Sequence, residues 1–306
     1  MMSLAAKVFA ISLTWILMLL CVWIWSNDFS RNSAHRSMSV QTGSLHTANR
    51  TSKEVIRQVK NGTYDTSHFE KKRLIPPFFR YKEEFQVAPK YRLSSSNRRT
   101  ISTEVYAKRF CADQNAVLWF DMLQDVMGES RIQYSVVRDP IDRFLSGFVD
   151  KCINEVGKEK MRCFGCNGDM SCFVPKLYNV MLVWQYTKST KYQYELAHFA
   201  PQTWYCNFKD HFDDYIIVRY KKGSYGVSQV ADELDSIFSR AGVPYDIRKE
   251  IHKQLLVGKT QHKTSGTSAR SRARKALFDN VRLLTLVTYM YYYDFIVFGF
   301  SLPVLM

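Results

Sequence analysis

The stretch between residues 134 and 152 joins a strand pattern to a helix pattern through a short turn. Tyr134-Ser135-Val136-Val137 has the β-branched and aromatic character that favours a strand. Asp139 can cap the following helix, and Pro140 takes the first helical position, where a missing N–H costs nothing. The next apolar residues recur with helical spacing and predict one buried stripe: Ile141, Phe144, Leu145, Phe148, Val149 and Cys152. A strand that leads directly into a helix is typical of an α/β fold.

The turn between this strand and helix is a candidate anion site. Free N–H groups and the helix dipole both favour negative charge at a helix N-terminus. Arg138, at the end of the strand, adds a guanidinium suited to phosphate. Ser146 adds a hydroxyl, and Gly147 removes bulk beside it, on a helix face shared with Arg143 and Asp150. The same residues are also compatible with an Arg–Asp pair that only braces the corner.

The remaining chain alternates strand and helix patterns. Asp214–Tyr220 predicts a second strand, and Val227–Arg240 predicts an amphipathic helix. Tyr178–Phe199 reads as helical, while the cysteine-rich stretch Met161–Phe173 reads as a loop held by disulfides. This alternation predicts an α/β fold with a largely parallel sheet. We find no internal repeat.

Near the N-terminus, Val8–Trp25 runs for eighteen residues without a charge. As a helix it would be ~27 Å long, close to the thickness of the membrane hydrocarbon layer. A cleaved signal peptide and a buried core helix are the alternatives, but the end of the run is bulky, unlike a cleavage site. We therefore predict a cytoplasmic tail at 1–7 and a transmembrane signal anchor at 8–25.

The polar stretch 26–80 after the apolar run predicts a lumenal stem, and 81–306 predicts the folded domain. Two glycosylation sequons, at Asn49 and Asn61, and six of the seven cysteines follow the run. These features favour a single-pass type II protein of the Golgi membrane, with its C-terminal side in the lumen.

The formal net charge of the 306 residues is +15. Nucleic acid, anionic lipid and acidic polysaccharide all attract such a chain. Behind a secretory anchor, nucleic acid is excluded as a partner, and a polyanionic sugar or an anionic nucleotide is favoured.

Cys163-x-x-Cys166 could bind zinc, but no second pair with similar spacing completes such a site. We therefore predict no metal, and disulfides among six cysteines whose pairing stays open: Cys111, Cys152, Cys163, Cys166, Cys172 and Cys206.

Three segments, in order along the chain, resemble the Golgi carbohydrate sulfotransferases, and most closely their chondroitin 4-sulfotransferase branch. The first is Arg138-Asp139-Pro140-x-x-Arg143-x-x-Ser146-x-Phe148, which resembles the family's 3′-phosphate-binding motif. The second is His198-Phe199-Ala200-Pro201-Gln202 with Cys206, and the third is Tyr291-Tyr292-Tyr293-Asp294-Phe295-x-x-Phe298-Gly299-Phe300. The resemblance implies a P-loop-like sulfotransferase fold and 3′-phosphoadenosine 5′-phosphosulfate (PAPS) as co-substrate. It also implies that Arg138 and Ser146 hold the 3′-phosphate of PAPS.

The chain departs from this family upstream of the first segment. The family has a 5′-phosphosulfate loop between a strand and an apolar helix, with a lysine that stabilises the transferred group. The nearest counterpart is Lys90 in Ala88–Ser96, which lacks both the strand and the helix. A non-catalytic, membrane-tethered binder of acidic glycan or PAPS is therefore the alternative to an enzyme.

Other residues are candidates for the reaction and the acceptor. His198 is a candidate general base, because histidine titrates near working pH, although a core histidine is the alternative. Arg219 and Lys221 follow the second strand and could meet substrate carboxylates. His262 and Lys263 lie in a stretch, 249–275, with eight lysines and arginines against one glutamate. We expect sulfonate transfer from PAPS to a hydroxyl of a chondroitin or related glycosaminoglycan.

Overall fold

The computed structural model describes residues 21–24, 53–79, 85–87, 116–117, 131–155, 161–184, 186, 193–257 and 264–305. The strands in these ranges form one sheet in the order β3-β2-β1-β4-β5: β1 Cys21–Ile24, β2 Phe85–Val87, β3 Ala116–Val117, β4 Ile132–Arg138 and β5 Ile216–Tyr220. Strands β4 and β5 are parallel, as are β1 and β2, whereas β1–β4 and β2–β3 are antiparallel. The described sheet is therefore mixed, and it is parallel at the pair β4–β5 predicted from the sequence.

The helices flank this sheet. In chain order they are α1 (53–61), α2 Pro140–Gly147, α3 Met170–Trp184, α4 Tyr194–Phe199, α5 Phe208–His211, α6 Gly223–Arg240, α7 Tyr245–Val257, α8 Ser268–Phe278 and α9 Val281–Phe298. A π-helix, Phe148–Asn154, extends α2, and 3₁₀ turns lie at Lys71–Arg73, Arg162–Gly165, Gln202–Trp204 and Phe212–Asp214. The helix predicted from Pro140 onward is confirmed. The one predicted over Tyr178–Phe199 is instead parts of α3 and α4.

Strand β4 is buried on both faces, which explains its nearly continuous apolar sequence. Val137 faces a large core shared with α2, α3 and α9. Tyr134 and Val136 face a smaller core formed with Val218 of β5 and the apolar side of α6, including Leu234. Helices thus cover both faces of the sheet at β4 and β5, and the predicted α/β class is confirmed.

Residues 53–79, which lie in the stretch predicted as a stem, pack against the folded domain. Ile56, Val59 and Leu74 are buried in the large core. The Trp204 indole N–H donates to the Pro76 carbonyl at 2.8 Å, which ties this segment to the domain. The segment packs because its apolar residues fall on one side of α1 and of the turn after it. Asn61, at the end of α1, is exposed, and its glycosylation stays a prediction.

The predicted anchor at 8–25 lies largely outside the described residues, and its segment Cys21–Ile24 forms β1. Within the ranges that the structure describes, no helix has the length and apolar character needed to cross a membrane. Asn49 also lies outside those ranges.

Two disulfides hold the cysteine-rich loop, as predicted. Cys152 of the π-helix pairs with Cys163, and Cys166 pairs with Cys172. Cys206 is disulfide-bonded as well. Because Cys163 and Cys166 pair with different cysteines, they are not available to bind zinc together.

Candidate anion-binding site at the corner of β4 and α2

The turn from β4 into α2 has the geometry that its sequence predicts. Asp139 caps α2, since its carboxylate accepts the backbone N–H of Asp142 at 2.8 Å, and Pro140 takes the first turn. Arg138 ends β4 directly before this cap. The N–H groups of Ile141, Asp142 and Arg143 are all bonded to Asp139, so an anion at this corner would bind the cationic side chains beside Arg138 rather than free N–H groups of the helix.

Three cations converge on one buried carboxylate at this corner. Asp142 is only 4% exposed, and its side chain forms ion pairs with Arg138, Arg270 and Lys222. The guanidinium of Arg138 also lies over the Tyr220 ring, 5.3 Å from its centroid. The charges of Asp139 and Arg274 act on the same side chains, so four cations face two carboxylates and the cluster keeps two positive charges. A buried cluster with this excess is stabilised by an added anion.

Ser146 belongs to the same cluster. Its hydroxyl lies 2.9 Å from the Thr264 hydroxyl and accepts from the Arg270 guanidinium at 3.2 Å. Arg270 also donates to the Asp142 carbonyl oxygen at 3.1 Å. The two residues predicted to hold phosphate, Arg138 and Ser146, thus share Asp142 and Arg270 as neighbours.

The pKa values of the three cations are lowered by burial and by neighbouring charges. Burial, followed by the charges of Arg138 and Arg274, lowers the pKa of Arg270 to about 10. Burial also lowers the pKa of Arg138 to about 10. Burial and the charges of Arg270 and Arg138 lower the pKa of Lys222 to about 8, which is the closest of the three values to neutral pH. The charge of Arg138 thus disfavours the charged forms of both Arg270 and Lys222, and a bound anion would reverse this effect.

The face of α2 that carries Arg143, Ser146 and Gly147 is buried rather than solvent-facing. Arg143 donates to the Ala200 carbonyl at 2.8 Å. Gly147 lies against the Phe199 ring, where an added Cβ would come within 3.0 Å of a ring carbon. The absence of a side chain at Gly147 therefore serves the packing of α4 onto α2.

His198 is 5% exposed and lies in α4, outside the cation cluster. Its Nδ1 is 2.7 Å from the Tyr194 carbonyl oxygen. Burial, opposed by that hydrogen bond and aided by the charge of Lys151, lowers the pKa of His198 to about 4. The imidazole is therefore neutral at pH 7, and its role as a base stays a prediction.

The residues predicted to bind acceptor are spread over the structure. Arg219 donates from Nε to the Phe298 carbonyl at 2.5 Å, so it holds the C-terminal end of α9. Lys221 is exposed and donates to the Gln229 side chain at 3.1 Å. Lys90, His262 and Lys263 lie outside the described residues. Strand β2 ends at Val87, directly before the Ala88–Ser96 segment, so the expectation that no strand precedes Lys90 is wrong.

Sequence reasoning missed three members of the cluster: Asp142, Lys222 and Arg270. Lys222 and Arg270 are 80 and 128 residues from Asp142, and no spacing rule connects positions so far apart. The basic stretch 249–275 contained the signal for Arg270, but it did not distinguish this arginine from its exposed neighbours.

A model of the Sulfotransferase family matches residues 78–301. The chain is 28% identical over 260 residues to the carbohydrate sulfotransferase chst-1 of Caenorhabditis elegans, covering 75% of this chain and 79% of that protein. It is 30% identical over 177 residues to the putative sulfotransferase vep-2 of the same organism, covering 56% and 54%. No solved structure matches significantly.

Proposed function

Because this chain belongs to the sulfotransferase family, we propose that it transfers a sulfonate from PAPS to a hydroxyl of a chondroitin-type glycosaminoglycan. The observation that carries the proposal is the buried cluster at the β4–α2 corner, with three cations around Asp142. Family membership makes the chain a sulfotransferase. The donor and the acceptor sugar are the proposed parts.

The charge of the corner suits the 3′-phosphate of PAPS. A phosphate monoester carries about −1.5 to −2 charges at pH 7 and offers three acceptor oxygens. The cluster around Asp142 has two positive charges in excess. Arg138 and Ser146 would bind this phosphate, and Lys222 and Arg270 would add their charges. The residues present therefore fit the nucleotide's 3′ end.

The transfer itself moves a sulfonate between two oxygens. The acceptor oxygen bonds to sulfur as the bond between sulfur and the bridging phosphate oxygen breaks, and the acceptor's proton passes to a base. Positioning and charge stabilisation are the main contributions a protein makes to such a transfer. His198 is the proposed base, since its imidazole is neutral, and Lys90 is the proposed cation at the transferred group.

A basic face extends from the corner to the surface along α8. Arg272, Arg274 and Lys275 are exposed, and α8 contains no acidic residue. The charge of Arg274 contributes to the lowered pKa of both Lys222 and Arg270, so this face adjoins the nucleotide site. It supports a polyanionic acceptor, with Arg219, Lys221, His262 and Lys263 as further proposed contacts.

The proposed location is the Golgi membrane, with a type II anchor at 8–25 and the catalytic domain in the lumen. The uncharged run and the sequons at Asn49 and Asn61 support it. The disulfides Cys152–Cys163 and Cys166–Cys172 support an oxidising compartment.

A sulfur-35 transfer assay tests the proposal. The full-length chain would be expressed in secretory cells, purified in detergent and given labelled PAPS with desulfated chondroitin. We expect label in the polysaccharide, and at least a 100-fold lower rate for Arg138→Ala. Arg240→Ala, at an exposed arginine that ends α6, is the matched control and should transfer normally. Binding of nucleotide and glycan without turnover would instead support the non-catalytic alternative.

A further inference from the structure

Gln202 holds the backbone of Arg138 through both halves of its side-chain amide. Its Oε1 accepts the Arg138 N–H at 2.9 Å, and its Nε2 donates to the Arg138 carbonyl at 2.8 Å. Among the residues that the structure describes, β1 pairs with β4 over Ile132–Ser135, on one edge, while β5 pairs with Arg138 on the other. The Gln202 amide thus makes, at the last residue of β4, the two backbone hydrogen bonds that a neighbouring strand would make.

Gln202 is itself held in place from α9. Its backbone N–H donates to Asp294 Oδ2 at 2.6 Å, and the N–H of Thr203 donates to Asp294 Oδ1 at 2.9 Å. Asp294 is 1% exposed, so these bonds form away from solvent. The three segments that resemble the sulfotransferase family therefore meet in one chain of contacts, from Asp294 through Gln202 to Arg138.

The segment before Gln202 is fixed by two further bonds. Arg143 of α2 donates to the Ala200 carbonyl at 2.8 Å, and the Tyr291 hydroxyl donates to the Phe199 carbonyl at 2.7 Å. These bonds hold the same loop, but they do not contact Arg138.

We propose that Gln202 is a positioning residue that sets nucleotide specificity by fixing Arg138 for contact with a 3′-phosphate. The inference rests on the proposed function, because it requires that Arg138 bind this phosphate. The guanidinium already contacts Asp142 and the Tyr220 ring, so its reach depends on where the backbone of Arg138 lies. A displacement of about 1 Å at such a position weakens a charged contact strongly. The preference for nucleotides with a 3′-phosphate therefore depends on Gln202.

Calorimetry on the full-length, detergent-purified chain tests this with two probes, adenosine 3′,5′-bisphosphate and adenosine 5′-monophosphate. The probes differ in the 3′-phosphate alone. Gln202→Met keeps the side-chain volume but removes both bonds to Arg138. We expect the ratio of the two dissociation constants to fall by about tenfold or more, through weaker binding of the bisphosphate. The affinity for the monophosphate should change little.

Tyr291→Phe is the matched control, because it removes one buried hydrogen bond from the same loop without touching Arg138. It should lower the melting temperature and leave the ratio unchanged. Gln202→Glu serves if Gln202→Met does not fold, since it keeps an acceptor for the Arg138 N–H and loses the donor to the carbonyl. Its ratio should fall between those of wild type and Gln202→Met.

The outcomes separate this inference from the proposed function. A wild-type chain that binds both probes equally would refute the phosphate site and this inference together. A wild-type preference that the Gln202 variants retain would refute the inference alone. An equal loss of preference in Tyr291→Phe would also overturn it, because general loosening of the loop would then explain the effect.

Discussion

Replacing Arg270 with alanine removes a cation that contacts both Asp142 and Ser146. Its side chain is 11% exposed and makes an ion pair with the Asp142 carboxylate. It also donates to the Asp142 carbonyl at 3.1 Å and to the Ser146 hydroxyl at 3.2 Å. The substitution leaves the carboxylate paired with Arg138 and Lys222, so the corner should stay folded while its excess of positive charge falls from two to one.

The magnitude follows from what one charged hydrogen bond contributes. Such a bond contributes about 1.5–3 kcal/mol, which corresponds to about 10- to 100-fold in a dissociation constant. We therefore expect Arg270→Ala to weaken binding of adenosine 3′,5′-bisphosphate by that factor. The free energy of unfolding should fall by about 1–3 kcal/mol, because the Ser146 and Asp142 contacts are lost.

The assay is calorimetric titration of the full-length chain, with the melting temperature recorded for each variant. Arg240→Ala is the control, since Arg240 is exposed and lies at the other end of α6 from Lys222. It should bind the bisphosphate within about twofold of wild type, as expected for an exposed charge away from the site. Unchanged binding in Arg270→Ala, or an equal loss in Arg240→Ala, would show that the corner does not bind the nucleotide's 3′-phosphate.

Three further predictions concern pH and one disulfide. Burial and neighbouring cations lower the pKa of Lys222 from 10.5 to about 8, so the affinity for the bisphosphate should fall as the pH rises from 7 to 9. A flat affinity profile in the wild type, or a matching fall in Lys222→Arg, would contradict this. The unfolded chain binds the Lys222 proton more tightly than the folded chain does. In the nucleotide-free protein, the contribution of Lys222 to the free energy of unfolding should therefore increase between pH 8 and 10.5. Urea unfolding of the wild type and of Lys222→Met measures this contribution as a difference. Cys152→Ser breaks the disulfide to Cys163 and should lower the free energy of unfolding by about 2–4 kcal/mol in the same urea assay. If Cys152→Ser were as stable as a Ser171→Ala control, this disulfide would not stabilise the fold.

Local sequence determined the framework of the site. The strand, the Asp139 cap and the α2 helix all follow from residues within a few positions of one another, and their hydrogen bonds are local. For the same reason the sequence could place Arg138 and Ser146 at one corner. The family resemblance then assigned phosphate to that corner, and the match to residues 78–301 confirms the family.

The burial of apolar residues in segments of mostly polar composition was harder to predict. The polar composition around residues 53–79 indicated a solvated stem, yet a few apolar side chains, Ile56 and Val59 among them, pack into the large core. Average composition over a window does not show whether its few apolar residues lie on one side. The same limit applies to His198, whose burial depends on helices distant in sequence.

The tertiary structure alone decided which charges meet. Lys222, Arg270 and Gln202 lie between 64 and 128 residues from their partners in α2 and β4. Contacts over such separations depend on how the sheet and helices pack, and they leave no periodic signal in the chain. The sequence by itself therefore determined a corner able to bind an anion, whereas the fold supplied the two excess positive charges that match a phosphate there.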